Sequence, residues 1–323
     1  MDRRLFNKGL VTSSLGLVLP NAAFGQTWPE SRVNIIVPFP AGAATDITGR
    51  VIAAKLSQMW GQAVTIDNRG GGNGIPGAEA AARSKPDGHH LFLTSAMTHA
   101  VNPALYPKLP YRPIEDFEAI SLFGKLSFVV LVRADSPIKT LGDLTALLQS
   151  EPDKHSFGAG SLPARIASEL YLQQAQASAR AIGYKSNPQA FPDLLSGLLS
   201  FMTIDTTNGR LQIDGGKMRG RAVSLPTRDN LIPKVPSAIE AGLAGFQIWT
   251  WTGFYAPKGT PKEVIRKINK DIVTACNDPL VLKRFDGLGG APITSTPEEF
   301  AAFTVAEIER WGKIIRSTNV KLD

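Results

Sequence analysis

One cysteine, Cys276, is present among 323 residues, so the chain can form neither an internal disulfide framework nor a cysteine-based zinc site. No window reaches the roughly 18 consecutive apolar residues of a spanning helix, which excludes a multipass helical membrane protein. Lys and Arg are not gathered in runs, and the net charge of +7 is dispersed, so the footprint of a nucleic-acid binder is missing. Only four histidines occur: His89, His90, His99 and His155. His89 and His90 are neighbours on a strand pattern and point to opposite faces, and no His-x-x-x-His accompanies them, so no metal site is expected. There is no G-x-S-x-G elbow, because Gly158-Ala159-Gly160-Ser161-Leu162-Pro163 lacks the closing glycine. A triad assembled by folding remains open at this level.

What is present is ordinary globular composition, and the length suggests about two domains. The N-terminus stands apart. Arg3, Arg4 and Lys8 form a basic region, Gly9 to Leu19 a short apolar one, and Ala23-Phe24-Gly25 offers small residues for a signal peptidase. Residues 1–25 read as a signal peptide cleaved near Gly25/Gln26, and the Arg pair also resembles a twin-arginine signal. Export makes a nicotinamide cofactor a poor partner for Gly72-Asn73-Gly74-Ile75-Pro76-Gly77. That G-x-G-x-x-G follows its strand too late, and Pro76 interrupts it. A surface loop is the expected structure there, and no cofactor is expected.

Beyond residue 26 the chain alternates strand and helix patterns. Val33 to Val37, Val64 to Asp67, Leu91 to Leu93 and Phe128 to Val132 read as strands. His155 to Phe157, Ala179 to Ile182, Phe201 to Ile204 and Arg221 to Ser224 follow. This rhythm predicts a doubly wound α/β architecture. Thr140 with Asp143, Thr260 with Glu263, and Thr296 with Glu299 predict capping boxes. Val264, Ile268, Ile272 and Cys276 recur every four residues, which makes Cys276 a core residue. Phe300, Phe303, Ile308, Trp311 and Ile315 form a stripe expected to dock on the first domain.

Two strand-to-helix loops look suited to an anion. The first is Pro38-Phe39-Pro40-Ala41-Gly42-Ala43-Ala44-Thr45-Asp46 and the second Ser156 to Ala164. Their small residues admit close backbone approach, and a helix N-terminus favours negative charge. One such loop in each unit suggests a ligand clamped between lobes.

In these loops, and in Asn68-Arg69, Pro86-Asp87-Gly88, Asn102-Pro103, Leu109-Pro110-Tyr111, Tyr184-Lys185, Asp193-Leu194-Leu195 and Gly259-Thr260-Pro261, the chain resembles the Bug-type receptors. These are the periplasmic substrate-binding proteins of tripartite tricarboxylate transporters. The resemblance implies a type II periplasmic-binding-protein fold, with two doubly wound α/β lobes around a ligand cleft. Lobe one would comprise residues 26–125 and 226–323, and lobe two residues 126–225. It implies no enzymatic activity, no cofactor, a small organic anion such as a carboxylate as ligand, membrane transporter subunits as partners, and a monomer. Carried over residue by residue, the site would use Phe39, Ala41, Gly42, Ala43, Ala44 and Asp46, with Thr94 or Ser95, from lobe one. Lobe two would supply Gly160, Ser161, Leu162, Pro163 and Asp205. Ser161-Leu162-Pro163-Ala164-Arg165 departs from the commoner Gly- and Thr/Ser-rich stretch, and Arg210 would meet a second anionic group if it faced the cleft. A receptor feeding a membrane sensor and a secreted α/β hydrolase are the competing readings.

Overall fold

The computed structural model describes residues 28–152, 154–288 and 290–318; the signal-peptide reading lies outside them. The strands are β1 (Val33–Val37), β2 (Val64–Asn68), β3 (His90–Ser95), β4 (Phe117–Arg133), β5 (Ser156–Ala159), β6 (Arg180–Gly183), β7 (Phe201–Asp205), β8 (Met218–Val223) and β9 (Trp249–Pro257). The helices are α1 (Ala44–Trp60), α2 (Ile75–Ala82), α3 (Asn102–Leu105), α4 (Leu141–Ser150), α5 (Leu162–Gln174), α6 (Asn187–Ser196), α7 (Thr206–Asp214), α8 (Lys262–Cys276), α9 (Pro279–Gly287) and α10 (Pro297–Thr318).

The same arrangement is built twice. In one sheet the order is β2-β1-β3-β9-β4, and in the other β6-β5-β7-β4-β8. Each has three parallel strands followed by two antiparallel ones. The long strand β4 belongs to both: Phe117 to Ser127 pair with β9, while Phe128 to Arg133 pair with β7 and β8. The return is divided. β8 leaves β4 at Val129, the Ser224 amide bonds Phe128 O, and β9 resumes with Trp249 opposite Ser127.

Register fixes where the strands end. Ser95 pairs with Thr252, and Thr252 with Gly124, so β3 stops at the level of Gly124. Asp205 pairs with Phe128, so β7 stops at the level of Phe128 from the opposite direction. Four residues of extended chain separate these levels, roughly 13 Å at 3.3 Å per residue. The carboxyl ends of both parallel sets therefore approach the crossing segment of β4. Ligands of open α/β sheets sit outside such ends.

Local chemistry explains most boundaries. Thr140 and Asp143 cap α4 reciprocally, and Thr296 and Glu299 exchange the same two bonds before α10. The box expected at Thr260 does not form. Its hydroxyl donates to Pro257 O at 2.8 Å, and Pro261 occupies the N-cap of α8. The helix therefore starts one residue later than the spacing predicts, and Thr260 lies outside it. Cys276 is buried as expected, and desolvation pushes its thiol up to about 12. The helix α10 docks on the first sheet's elements, as its stripe predicts, and also reaches beyond them. Phe300, Trp311 and Ile315 are buried, but α10 contacts α5 of the second sheet as well as β4 and α3, and Gln173 donates to Ser317 O at 2.8 Å. A 22-residue helix is long enough to brace both units.

Gly253 shows how tightly α10 is seated. A Cβ there would run into the ring of Phe300, which is fully buried and lies against Trp251 and Tyr255. Gly253→Ala is expected to cost about 1–3 kcal/mol, the range of core overpacking. Urea unfolding should show it as a lower midpoint, and an unchanged midpoint would mean that α10 shifts freely.

Candidate functional site

Loop one leaves β1 at Pro38 and enters α1 at Ala44. Gly42 has φ +83°, a left-handed conformation that side-chain-bearing residues rarely adopt. Its amide donates to Asp46 Oδ2 at 2.8 Å. Asp46 is 3% exposed, and its other oxygen receives Asn68 Nδ2 at 3.0 Å and Arg50 Nη2 at 2.9 Å. Burial opposes ionisation of Asp46, but the bonds from Arg50, Gly42 and Asn68 outweigh it and hold the carboxyl below its usual range. Asn68 also donates to Phe39 O at 3.1 Å, so the end of β2 fastens both ends of the loop.

These bonds decide which amides remain for a ligand. Gly42 N is committed to Asp46, and Ala43 N to Pro40 O at 3.1 Å. Ala43 is the N-cap of α1 and offers no side-chain cap. The first-turn amides of Ala44, Thr45 and Asp46 therefore have neither an intrahelical acceptor nor a capping side chain. Ala41, Gly42 and Ala44 are exposed, and Phe39 is half-buried against the core.

The glycine segment after β2 is exposed from Arg69 to Gly72, as a surface loop would be, but it also supports loop one. Gly72–Gly74 form a 3₁₀ turn and α2 begins at Ile75. A Cβ on Gly77 would collide with Pro38, so glycine allows α2 to lie against the start of loop one. Asn73 donates to Tyr106 Oη at 2.8 Å, and Asn102 Nδ2 donates to Asn73 O at 3.0 Å.

Thr94 and Ser95 end β3. Thr94 is fully buried, and its hydroxyl bonds that of Thr98 at 2.7 Å. Ser95 Oγ accepts Met97 N at 3.2 Å, which leaves its own hydrogen free to donate. A single π turn, Met97–Val101, follows; such turns recur at functional sites. It buries His99, whose Nδ1 lies 2.9 Å from Thr98 Oγ1 and whose pKa burial lowers to about 3. Tyr111 Oη donates to Thr98 O at 2.7 Å and receives Asn102 Nδ2 at 3.2 Å. Thr94 thus serves the base of the site, while Ser95 has a hydrogen to offer.

Loop two links β5 to α5. Gly160 is buried, and a Cβ there would collide with the Ser186–Asn187 backbone at the start of α6. Ser161 is the N-cap of α5 and accepts Ala164 N at 3.4 Å. Leu162 and Pro163, both half-buried, fill the first two helical positions. Asp205 caps α7: it accepts Asn208 N at 2.9 Å and Asn208 Nδ2 at 2.8 Å. By register Asp205 lies level with Phe128, and β5 runs parallel beside β7 through Gly158, short of Ser161. Arg210, on the nine-residue α7, pairs with Asp214 at 3.3 Å.

Asn68 and Arg50 were not among the expected site residues, nor were Thr98, Asn102 and Tyr111, though several belong to the motifs quoted above. Their contribution is to brace the loops. A short polar side chain at a strand end, just ahead of a run of glycines, was the available sign for Asn68.

Two copies of one α/β plan, joined by a shared crossing strand and presenting strand-to-helix loops at the crossing, define a two-lobed solute-binding protein. The comparisons agree. Residues 48–320 match the model of the tripartite tricarboxylate transporter family receptor, and the chain belongs to that family. Over 326 residues it is 32% identical to BugT of Bordetella pertussis, covering 100% of this chain and 99% of that one. MatC from Rhodopseudomonas palustris, solved with bound malate, is 30% identical with a TM-score of 0.77 over 89% of this chain and all of its own. Another R. palustris protein, solved with adipate, is 26% identical with a TM-score of 0.83, over 91% of this chain and 99% of its own. The fold is the type II periplasmic-binding fold, and the protein is a solute-binding receptor of the Bug type, not an enzyme.

Proposed function

We propose that the protein is an exported periplasmic receptor that captures a small organic carboxylate and delivers it to the membrane subunits of a tripartite tricarboxylate-type transporter. In this reading it acts as a monomer after cleavage near Gly25/Gln26. Lobe one spans 26–125 and 226–323, and lobe two spans 126–225. The observation that carries it is the uncapped first turn of α1, held open by the Gly42–Asp46 bond at the carboxyl end of β1. The Ala44 and Thr45 amides and the Ser95 hydroxyl supply donors from lobe one. Ser161 and the Leu162 amide supply them from lobe two. Hydrogen bonds to charged groups net about 1.5–3 kcal/mol each, so three or four suffice for micromolar binding after ordering costs.

Closure of the lobes would bend β4 near Gly124 to Phe128 and the β8–β9 return beside it. Calorimetry against a carboxylate panel should give saturable binding with no turnover. Scattering should show compaction at saturation. Binding of none of the panel, or hydrolysis of an added ester, would overturn the assignment. Neighbouring genes for one large and one small membrane subunit would favour a transporter over a sensor.

A further inference from the structure

We infer that α10 is a third element of the hinge, a strap fixed to both lobes with its flexure point at Gly312, and that closure of the lobes bends it there. This rests on the receptor reading above, since it supposes two lobes that close. The anchors lie in order along the helix. Near its start, Phe300 is seated over Gly253, and the hydroxyls of Thr304 and Tyr255 share a hydrogen bond of 2.7 Å. Gly253 and Tyr255 belong to the part of β9 that pairs with β3 in lobe one. Further along, Arg310 stands at the crossing itself. Its guanidinium lies 3.9 Å from the centre of the Trp249 ring, and its Nη2 donates to Trp249 O at 2.9 Å. Trp249 is the residue of β9 that pairs with Ser127 on the crossing segment of β4. Glu307 is buried and pairs with Arg310 at 2.6 Å, which fixes the guanidinium. Beyond that level the helix reaches α5 of lobe two, where Gln173 Nε2 donates to Ser317 O at 2.8 Å. A continuous helix joined to both lobes must slide, let go or bend when the angle between them changes.

Sliding would drag Phe300 off Gly253 and break the Thr304–Tyr255 bond. Letting go would uncover Trp311 and Ile315, both buried. Bending meets less resistance, because Gly312 falls between the Arg310 and Ser317 anchors. Packing does not ask for a glycine there. A Cβ on Gly312 would first meet the guanidinium of Arg316, at 3.1 Å, and Arg316 is an exposed, flexible side chain that can move aside. At Gly253, by contrast, a Cβ has no room. Glycine inside a helix weakens it relative to alanine, since its backbone has the most freedom to regain. A residue that alanine could replace without a clash, placed between the anchors to the two lobes, makes that turn the one that yields.

Gly312→Ala tests this on the full mature protein. It should raise the midpoint of thermal unfolding by about 1–3 °C. In calorimetry against acetate, succinate, adipate and citrate, it should weaken the tightest-binding acid about fivefold. Val305→Ala removes a β-branched residue from the lobe-one half of α10, at a position 55% exposed. It should also raise the midpoint but leave affinity unchanged, which separates flexure at the hinge from helix stability in general. Hydrogen exchange needs no ligand. The amides of residues 313–316, whose bonds span Gly312, should exchange at least about tenfold faster than those of 305–308, and Gly312→Ala should remove most of that difference. Equal exchange in the two stretches would overturn the strap while leaving the receptor reading intact. So would a stabilised Gly312→Ala that binds as tightly as the parent protein or more tightly. Binding of none of the acids would count against the receptor reading itself, and the exchange pattern would still decide the flexure.

Discussion

Asp46→Ala is expected to lower ligand affinity about a hundredfold or more, although the side chain itself is spent on the loop and not on the ligand. Its carboxylate is the common acceptor for Gly42, Asn68 and Arg50. Without it the left-handed turn at Gly42 loses its tether, and the amides of Ala44 and Thr45 no longer meet a carboxylate in a fixed geometry. The folded protein should also lose roughly 1.5–3 kcal/mol, the range for a hydrogen bond to a charged group. Asp46→Asn keeps one acceptor oxygen and should fall between the two. The pH dependence has a definite sign. A carboxyl whose folded pKa lies below its unfolded value stabilises the protein above the unfolded pKa. That contribution is lost as pH falls through the folded one. The stability gap between the parent protein and Asp46→Asn should therefore be full at neutral pH and shrink below about pH 4, near the ordinary Asp value. A gap that stays constant down to about pH 2 would mean that Asp46 does not hold the loop through its charge.

Gly42→Val should be nearly as damaging to binding, for a different reason. A Cβ at Gly42 meets nothing within 4 Å, so the substitution causes no clash in the free protein. It places a branched side chain on the exposed face that a ligand must approach. Read from sequence alone, valine here leaves the fold almost intact. The φ of +83° corrects that expectation, since the left-handed conformation costs a side-chain-bearing residue roughly 1–2 kcal/mol. Asparagine tolerates that conformation better, so Gly42→Asn separates the two effects. Stability should be nearly restored in Gly42→Asn, with affinity still reduced about tenfold. If Gly42→Val binds carboxylate as tightly as the parent protein, the amides of this loop do not form the site.

The placement of the loops could be read from residues 38–46 and 158–164, because glycine, alanine and proline after a β-branched run leave few local alternatives. Which of their amides would be free could not. Gly42 and Asp46 lie four residues apart, a local bond, but Asn68 arrives from another strand and fixes the orientation of the carboxylate. Likewise Thr260 and Glu263 carry the spacing of a capping box, yet α8 starts one residue later, with Pro261 at its N-cap and Thr260 bonded back to Pro257 O at the end of β9. At Thr140 and Thr296 both reciprocal bonds form.

By itself the sequence determined the strand–helix alternation, the two small-residue loops, the burial of Cys276 and the family resemblance. Each of these rests on neighbours along the chain or on composition. Tertiary structure decided the rest. Strand β4 is strongly apolar only in its second half, at Phe128 to Val132, because those residues are buried within the second sheet. Phe117 to Ser127 mix buried and half-exposed positions, with two register shifts against β9, so no clean alternation marks them as strand. Their extended state comes from hydrogen bonds to a partner more than a hundred residues away. The same long-range pairing sets Ser95 and Asp205 on either side of the crossing, which no local signal in the sequence could do.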